Sequence, residues 1–174
     1  MKNLETIKSN TPDIIKEKLK LVLDKVMDKC SENEIKEYLL DFKEQFKTMG
    51  LQEKGVITSA NNIEKFNLGN GENKKGTPGH IKGCIFYNHL LDVNGLKYHK
   101  RINSGEKCVV VKLKSNIYNK DVISIPLSGV LPEEFNLTDK IDVDGMFEKV
   151  FLSPLRNITM VLGWNLKDLN IAQM

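Results

Sequence analysis

The chain has 174 residues, 40% of them hydrophobic, and a formal net charge of +3, enough for a single domain or two small subdomains that bury a core without metals or disulfides. No apolar run approaches the roughly 18 to 20 residues that span a bilayer, and the start, Met1-Lys2-Asn3-Leu4-Glu5, lacks the apolar stretch of a secretory signal. These features exclude a membrane role and point to an intracellular chain. Cys30, Cys84 and Cys108 have neither disulfide-framework nor zinc spacing and read as reduced, semi-buried thiols.

The charge is unevenly spread. Residues 1–50 hold 10 Lys/Arg and 10 Asp/Glu, residues 51–120 hold 12 and 5, and residues 121–174 hold 4 and 8. The basic middle third suits a polyanionic partner.

In chain order, the first helix opens at Thr11-Pro12-Asp13, with Thr11 as cap, and carries Ile15, Leu19, Val22 and Val26 at helical spacing. A second starts at the capping box Ser31-Glu32-Asn33-Glu34, lines one face with Ile35, Tyr38, Leu39, Phe42, Phe46 and Met49, and stops at Gly50. The two should form an antiparallel pair whose apolar stripe needs a further surface to cover it. Residues 51–79 read as a long loop rich in Asn, Gly and Ser. Another helix is expected from Thr77-Pro78-Gly79-His80 to Asn94-Gly95, with Thr77 as cap and Ile81, Cys84, Ile85 and Leu91 inward. Lys97–Ile102 and Lys107–Leu113, flanking Asn103-Ser104-Gly105, predict a hairpin, and Val122–Ile125 a third strand. After a loop at 126–142, a last helix from Asp144 to Leu162 is bent or interrupted by Pro154. The fold class is therefore α+β: an N-terminal antiparallel helix pair (1–50), then a long basic loop, a helix, a small antiparallel β-sheet and a C-terminal helix (51–174).

No catalytic site emerges. Gly71 to Gly76 has the spacing of a phosphate-binding P-loop, but Thr77 stands where Lys is required. Asp142 and Asp144 are the nearest approach to a metal-binding carboxylate pair and read as caps of the final helix. His80, His89 and His99 form no triad with Ser or Cys. What remains is a phosphate-binding constellation: Thr58, Ser59, Asn61, Asn62 and Lys65 in one turn, Lys74 and Lys75 in the loop, and His80 and Lys82 at a helix start. Hydroxyls, amides and lysines of this kind position a protein on a nucleic-acid backbone. A free-standing duplex-binding module and a regulatory protein both remain compatible with these residues.

The stretch Ile57-Thr58-Ser59-Ala60-Asn61-Asn62-Ile63-Glu64-Lys65-Phe66, then Thr77-Pro78-Gly79-His80-Ile81-Lys82-Gly83 and Tyr87-Asn88, resembles the thumb of family B DNA polymerases of the T-even bacteriophage type. Leu4-Glu5-Thr6-Ile7-Lys8-Ser9-Asn10-Thr11-Pro12 resembles the passage from palm to thumb, and Gly105-Glu106-Lys107 and Phe147–Leu155 follow in the same order. The resemblance implies a part that wraps primer-template duplex DNA, with Lys8, Ser59, Lys65, Lys82 and Lys149 at DNA-contacting positions and Phe66 where the family has an aromatic ring. Lys82 stands where the family commonly has Arg, and Asp121 and Ser153 stand at two positions where it is basic, with Lys120 beside the first. It also implies that the catalytic carboxylates and their divalent metal, expected to be Mg, belong to a partner chain carrying exonuclease, palm and fingers, so this chain holds no cofactor and does not polymerise alone. The expected setting is phage DNA replication in the host cytoplasm, from a polymerase split or truncated near Met1. The tail Leu166–Met174 has no aromatic residue and departs from the family's clamp-docking peptide, which leaves the sliding clamp unassigned as a partner.

Overall fold

The computed structural model describes residues 11–28 and 30–161, a mixed helix and sheet fold of the α+β class. They fall into two compact units, one formed by the chain up to Lys54 together with the part from Asp144 onward, the other by Gly55–Val143. The closing helix thus belongs with the N-terminal helices and not with the sheet.

The first unit holds α1 (Asp13–Met27), α2 (Glu32–Thr48) and the short α3 (Leu51–Lys54). Thr11 does not cap α1, because Pro12 occupies the cap position and no side-chain bond forms there. Ser31 caps α2 as expected, its hydroxyl accepting the Glu34 N–H at 3.2 Å. The pair is antiparallel. Lys18 lies over the rings of Tyr38 and Phe42, whereas Lys25, two turns on, lies over Tyr38. Ile15, Leu19, Val22 and Leu23 are buried from α1, and Ile35, Leu39, Phe42 and Phe46 from α2. Buried Lys54 donates to the Lys47 carbonyl at 2.9 Å, satisfying an acceptor in the last turn of α2.

The surface that the stripe requires is supplied by α6 (Val143–Phe147), a π-helical turn (Glu148–Leu152) and α7 (Ser153–Val161). Phe147 and Phe151 stack on one another and pack on Phe42 and Phe46, with ring centroids 4.7 to 5.8 Å apart between the two pairs. Rings of this size carry most of a small core's apolar area, which explains why the last helix joins the first two. As expected, the α-helix is interrupted next to Pro154, here by the π turn, and it resumes as α7. In this π turn the Ser153 N–H reaches back to the Glu148 carbonyl. Arg156 pairs with Glu148 across that turn.

The second unit is built on α5 (Gly79–Val93) and a three-stranded antiparallel sheet of β1 (Val56–Ser59), β4 (Lys107–Lys112) and β5 (Val122–Pro126), in the order β1-β4-β5. Between β1 and α5 lie α4 (Ile63–Phe66) and a small hairpin, β2 (Asn67–Gly69) with β3 (Glu72–Asn73). The expected long loop at 51–79 is therefore largely structured. The expected hairpin of 97–102 with 107–113 does not form, because β4 pairs with β1 in the register Val56↔Val110 to Ser59↔Lys107. Residues 97–102 instead run along α5, where side chains satisfy their backbone. Asn88 both donates to the Ile102 carbonyl and accepts its N–H, and the Tyr87 hydroxyl donates to the Lys100 carbonyl.

Helix α5 is buried on more than the predicted face, since Phe86 and Tyr87 are covered as well as Ile81, Cys84, Ile85 and Leu91. Phe86 meets Tyr118 and Tyr87 meets Phe135, at 5.3 and 5.8 Å between centroids. Helix and sheet approach closely at Gly83, where an added Cβ would lie 2.6 Å from the Ser124 backbone nitrogen. Cys84 and Cys108 meet across this interface at 3.8 Å, and both are buried free thiols. Among the described residues no helix is long and apolar enough to cross a membrane.

Candidate nucleic-acid interface

The candidate phosphate-binding residues enter the second unit at the end of β1. Strand alternation places Thr58, opposite Cys108, on the sheet face that meets α5, and Ser59, opposite Lys107, on the other face. The two hydroxyls therefore do not act as one cluster. Lys107 is exposed beside Ser59, at a separation of about 4.5–5.5 Å between Cβ atoms expected of directly opposed residues.

After β1 the chain turns at Ala60, which is fully buried and exchanges backbone hydrogen bonds with Glu106 and Gly105. Asn61 and Asn62 are left exposed at the surface, Asn62 with a left-handed backbone (φ 62°), a conformation asparagine tolerates better than most residues. Ser104 fastens the following turn, accepting the Ile63 N–H at 2.9 Å and donating to the Glu64 carboxylate at 2.6 Å. These bonds hold Lys65 at the exposed side of α4, where its ammonium lies 5.5 Å from the centroid of the half-buried Phe66 ring.

The hairpin brings the loop lysines back to this point. Asn70 and Gly71 both have positive φ, as a two-residue hairpin turn requires, and Gly71 is pressed against the His89 side chain, which an added Cβ would meet at 2.7 Å. The Lys74 N–H then donates to the Phe66 carbonyl at 2.9 Å, closing the excursion, and the Thr77 hydroxyl donates to the Lys74 carbonyl at 2.5 Å. Thr77 is thus a loop staple and not the cap of α5, whose cap position is Pro78. The geometry is not that of a P-loop, because Gly71 to Gly76 runs through a hairpin turn and strand before reaching the helix. Lys74 and Lys75 are exposed.

His80 and Lys82 sit in the first turn of α5. Lys82 is exposed on the stripe that also carries His89, seven residues and about 10 Å along the helix. His80 is half-buried, and burial holds its imidazole below the ordinary range, so near neutrality it offers an N–H donor and no charge. Its carbonyl accepts from the Ser124 hydroxyl at 2.9 Å.

Charge pairing separates the lysines. Glu64 is engaged by Ser104, Glu72 by Lys120, and Glu106 by Lys100 and the Asn103 N–H. The hydrogen bond from Ser104 holds the Glu64 carboxyl below its ordinary range, and the bond from Lys100 does the same for Glu106. Lys65, Lys74, Lys75, Lys82 and Lys107 are all exposed, and among the described residues none of them is ion-paired to a carboxylate. Lys107 was not singled out as a site residue from sequence; only the β1–β4 register reveals that it stands beside Ser59.

Lys149 is exposed on the π-helical turn of the other unit. Lys8 and the tail Leu166–Met174 lie outside the described residues. Lys120, offered as a substitute beside Asp121, is committed to Glu72 at 3.9 Å. Asp142 and Asp144 each face a lysine, Lys112 at 4.0 Å and Lys43 at 3.5 Å. Among the described residues no group of three or more His, Cys, Asp or Glu side chains is arranged to hold a metal ion. No protein-family model matches the chain, and no curated protein matches it either.

Proposed function

We propose that this chain is the thumb of a family B DNA polymerase of the T-even bacteriophage type, gripping the sugar-phosphate backbone of primer-template duplex DNA in the host cytoplasm and so supporting processive replication. Polymerisation, its divalent metal and the exonuclease belong to a palm, fingers and exonuclease outside these 174 residues. The observation that supports the reading is the set of five exposed lysines, 65, 74, 75, 82 and 107, without carboxylate partners among the described residues while the glutamates around them are engaged elsewhere. Such groups bind phosphate without reading sequence. Lys82, a point charge where a guanidinium would make a planar fork, serves for backbone contact and not for bidentate recognition.

The test is duplex affinity of the full chain against the K65A/K74A/K75A variant, measured by fluorescence anisotropy on two unrelated 20-base-pair duplexes. Counterion release is worth about 0.9 decades per phosphate contact at roughly 0.1 M salt, so the variant should lose about two decades or more, equally on both duplexes. Unchanged affinity would remove the proposal.

A further inference from the structure

Residues 96–101 read Leu-Lys-Tyr-His-Lys-Arg, and the duplex contact gives them no role. They follow the left-handed stop at Gly95 (φ 64°) and form no strand. The span is held at both ends, by the Leu96 N–H on the Leu91 carbonyl at 3.0 Å, by Tyr87 on the Lys100 carbonyl at 2.9 Å and, just beyond, by Asn88 on both backbone groups of buried Ile102 at 2.8 and 2.9 Å. On this clamped span the Tyr98 side chain is wholly exposed, at 103%. Tyr38, Tyr87 and Tyr118 are all at least half-buried. A bare aromatic ring on a short span held at both ends is available to a flat apolar partner at little ordering cost.

The ring's neighbours decide which partner. Lys97, Lys100 and Arg101 are exposed and His99 is half-buried. The facing carboxylates are Asp92, which holds Arg101, and Glu106, which holds Lys100. Lys97, directly beside Tyr98, has no carboxylate partner among the described residues. A cleft of about 330 Å³ opens between this strip and the end of α5, with Leu91 and Leu96 among its apolar lining and Lys97 and His99 at its side. A bare aromatic ring that no apolar side chain covers, next in the chain to a cation without a carboxylate partner among the described residues, is the chemistry that stacks a base and holds its phosphates. A protein-docking patch would instead surround the ring with apolar side chains.

We propose that Lys97–Arg101 is a second nucleic-acid site that takes an unpaired strand, one base stacking on Tyr98 and Lys97 holding an adjacent phosphate. The site adjoins the duplex contact through the Lys100–Glu106 pair beside Lys107 but uses different residues, so the two are tested separately.

The experiment is anisotropy of the full chain on a labelled 12-nucleotide oligothymidylate, with an abasic strand of the same length as comparison. Replacement of Tyr98 by Ala or Leu should weaken oligothymidylate binding about 10-fold, within the range seen when a stacking aromatic is removed, while Phe or Trp should keep it. The abasic strand should bind wild type and Tyr98→Ala alike, and duplex affinity should be the same in both. Because the ring touches nothing in the fold, thermal melts should coincide. K65A/K74A/K75A should show the reverse pattern, losing duplex and keeping oligothymidylate. Loss of duplex binding by the wild-type chain with oligothymidylate binding intact would overturn the thumb reading and leave this site standing. Equal oligothymidylate affinity in wild type and Tyr98→Ala, full retention by Tyr98→Leu, or equal wild-type affinity for the abasic strand would overturn the site. Loss of a polypeptide partner in Tyr98→Ala, with oligothymidylate binding unchanged, would reassign the strip to protein docking.

Discussion

Gly83→Ala should be the most damaging single-methyl addition in the sheet unit. The new Cβ would stand 2.4 Å from the Ser124 Oγ, 2.6 Å from the Ser124 backbone nitrogen and 2.9 Å from the Ile123 carbonyl carbon. Ordinary contact begins at 3.4 Å, so α5 and β5 must separate by about 0.8 Å, and backbone cannot rotate out of the way as a long side chain can. The serine hydroxyl is also engaged, donating to the His80 carbonyl. Overpacking of this kind costs about 1–3 kcal/mol, and a weakened buried hydrogen bond adds about 1. Alanine's better helix propensity returns about 1. The net, about 2 kcal/mol, should lower the melting temperature of the 55–143 unit by about 8–16 °C, given about 4–8 °C per kcal/mol in domains of this size. Gly79→Ala is the control, because no atom lies within 4 Å of its added Cβ; it should melt within about 2 °C of wild type. Differential scanning calorimetry of the full chain separates the two. A Gly83→Ala protein as stable as Gly79→Ala would refute the close packing of α5 on β5.

Three further outcomes are expected. Burial lowers the His80 pKa from its ordinary 6.5, so between the two values the unfolded chain binds more protons; stability from this site is complete above about 6.5 and is lost as pH falls through that window. Urea midpoints between pH 8 and 5 should show this loss, and His80→Gln should flatten it. Asn88→Ala should cost about 2–4 kcal/mol, because it orphans the buried N–H and carbonyl of Ile102; native-state hydrogen exchange should show loss of protection at the Ile102 amide. Ser31→Ala should cost the helical unit about 1 kcal/mol and Ser31→Asp almost nothing, as read from the denaturation midpoint of that unit.

The sequence made legible those features that depend on neighbours in the chain. Ser31 with Glu34 marked the start of α2, the Asn94-Gly95 pair marked the end of α5, and the valine run marked β4. Features that depend on distant partners were not legible. Val56–Ser59 is too short to show a period, and its pairing with Lys107–Val110 lies some fifty residues away. The 97–102 segment has a strand-like pattern but forms no strand, because backbone groups at Lys100 and Ile102 are satisfied by Tyr87 and Asn88 side chains, which no period reports. Pro154 signals an interruption of the last helix, which is present, but the form it takes, a π turn, is not legible in the sequence. In the candidate interface, the turn chemistry of residues 58–82 was visible, but Lys107 joins Ser59 only through strand register, and the opposed directions of Thr58 and Ser59 follow from the same register. The lowered pKa of His80 comes from burial, which a helix-start motif does not specify.

Salt dependence of duplex binding tests the central claim most directly. If Lys65, Lys74, Lys75, Lys82 and Lys107 each neutralise one phosphate, a plot of log affinity against log salt concentration for the full chain should have a slope of about −4.5, and the K65A/K74A/K75A variant a slope of about −1.8, at about −0.9 per contact. A slope near zero, or one that the three substitutions leave unchanged, would contradict the assignment of these lysines to the DNA backbone.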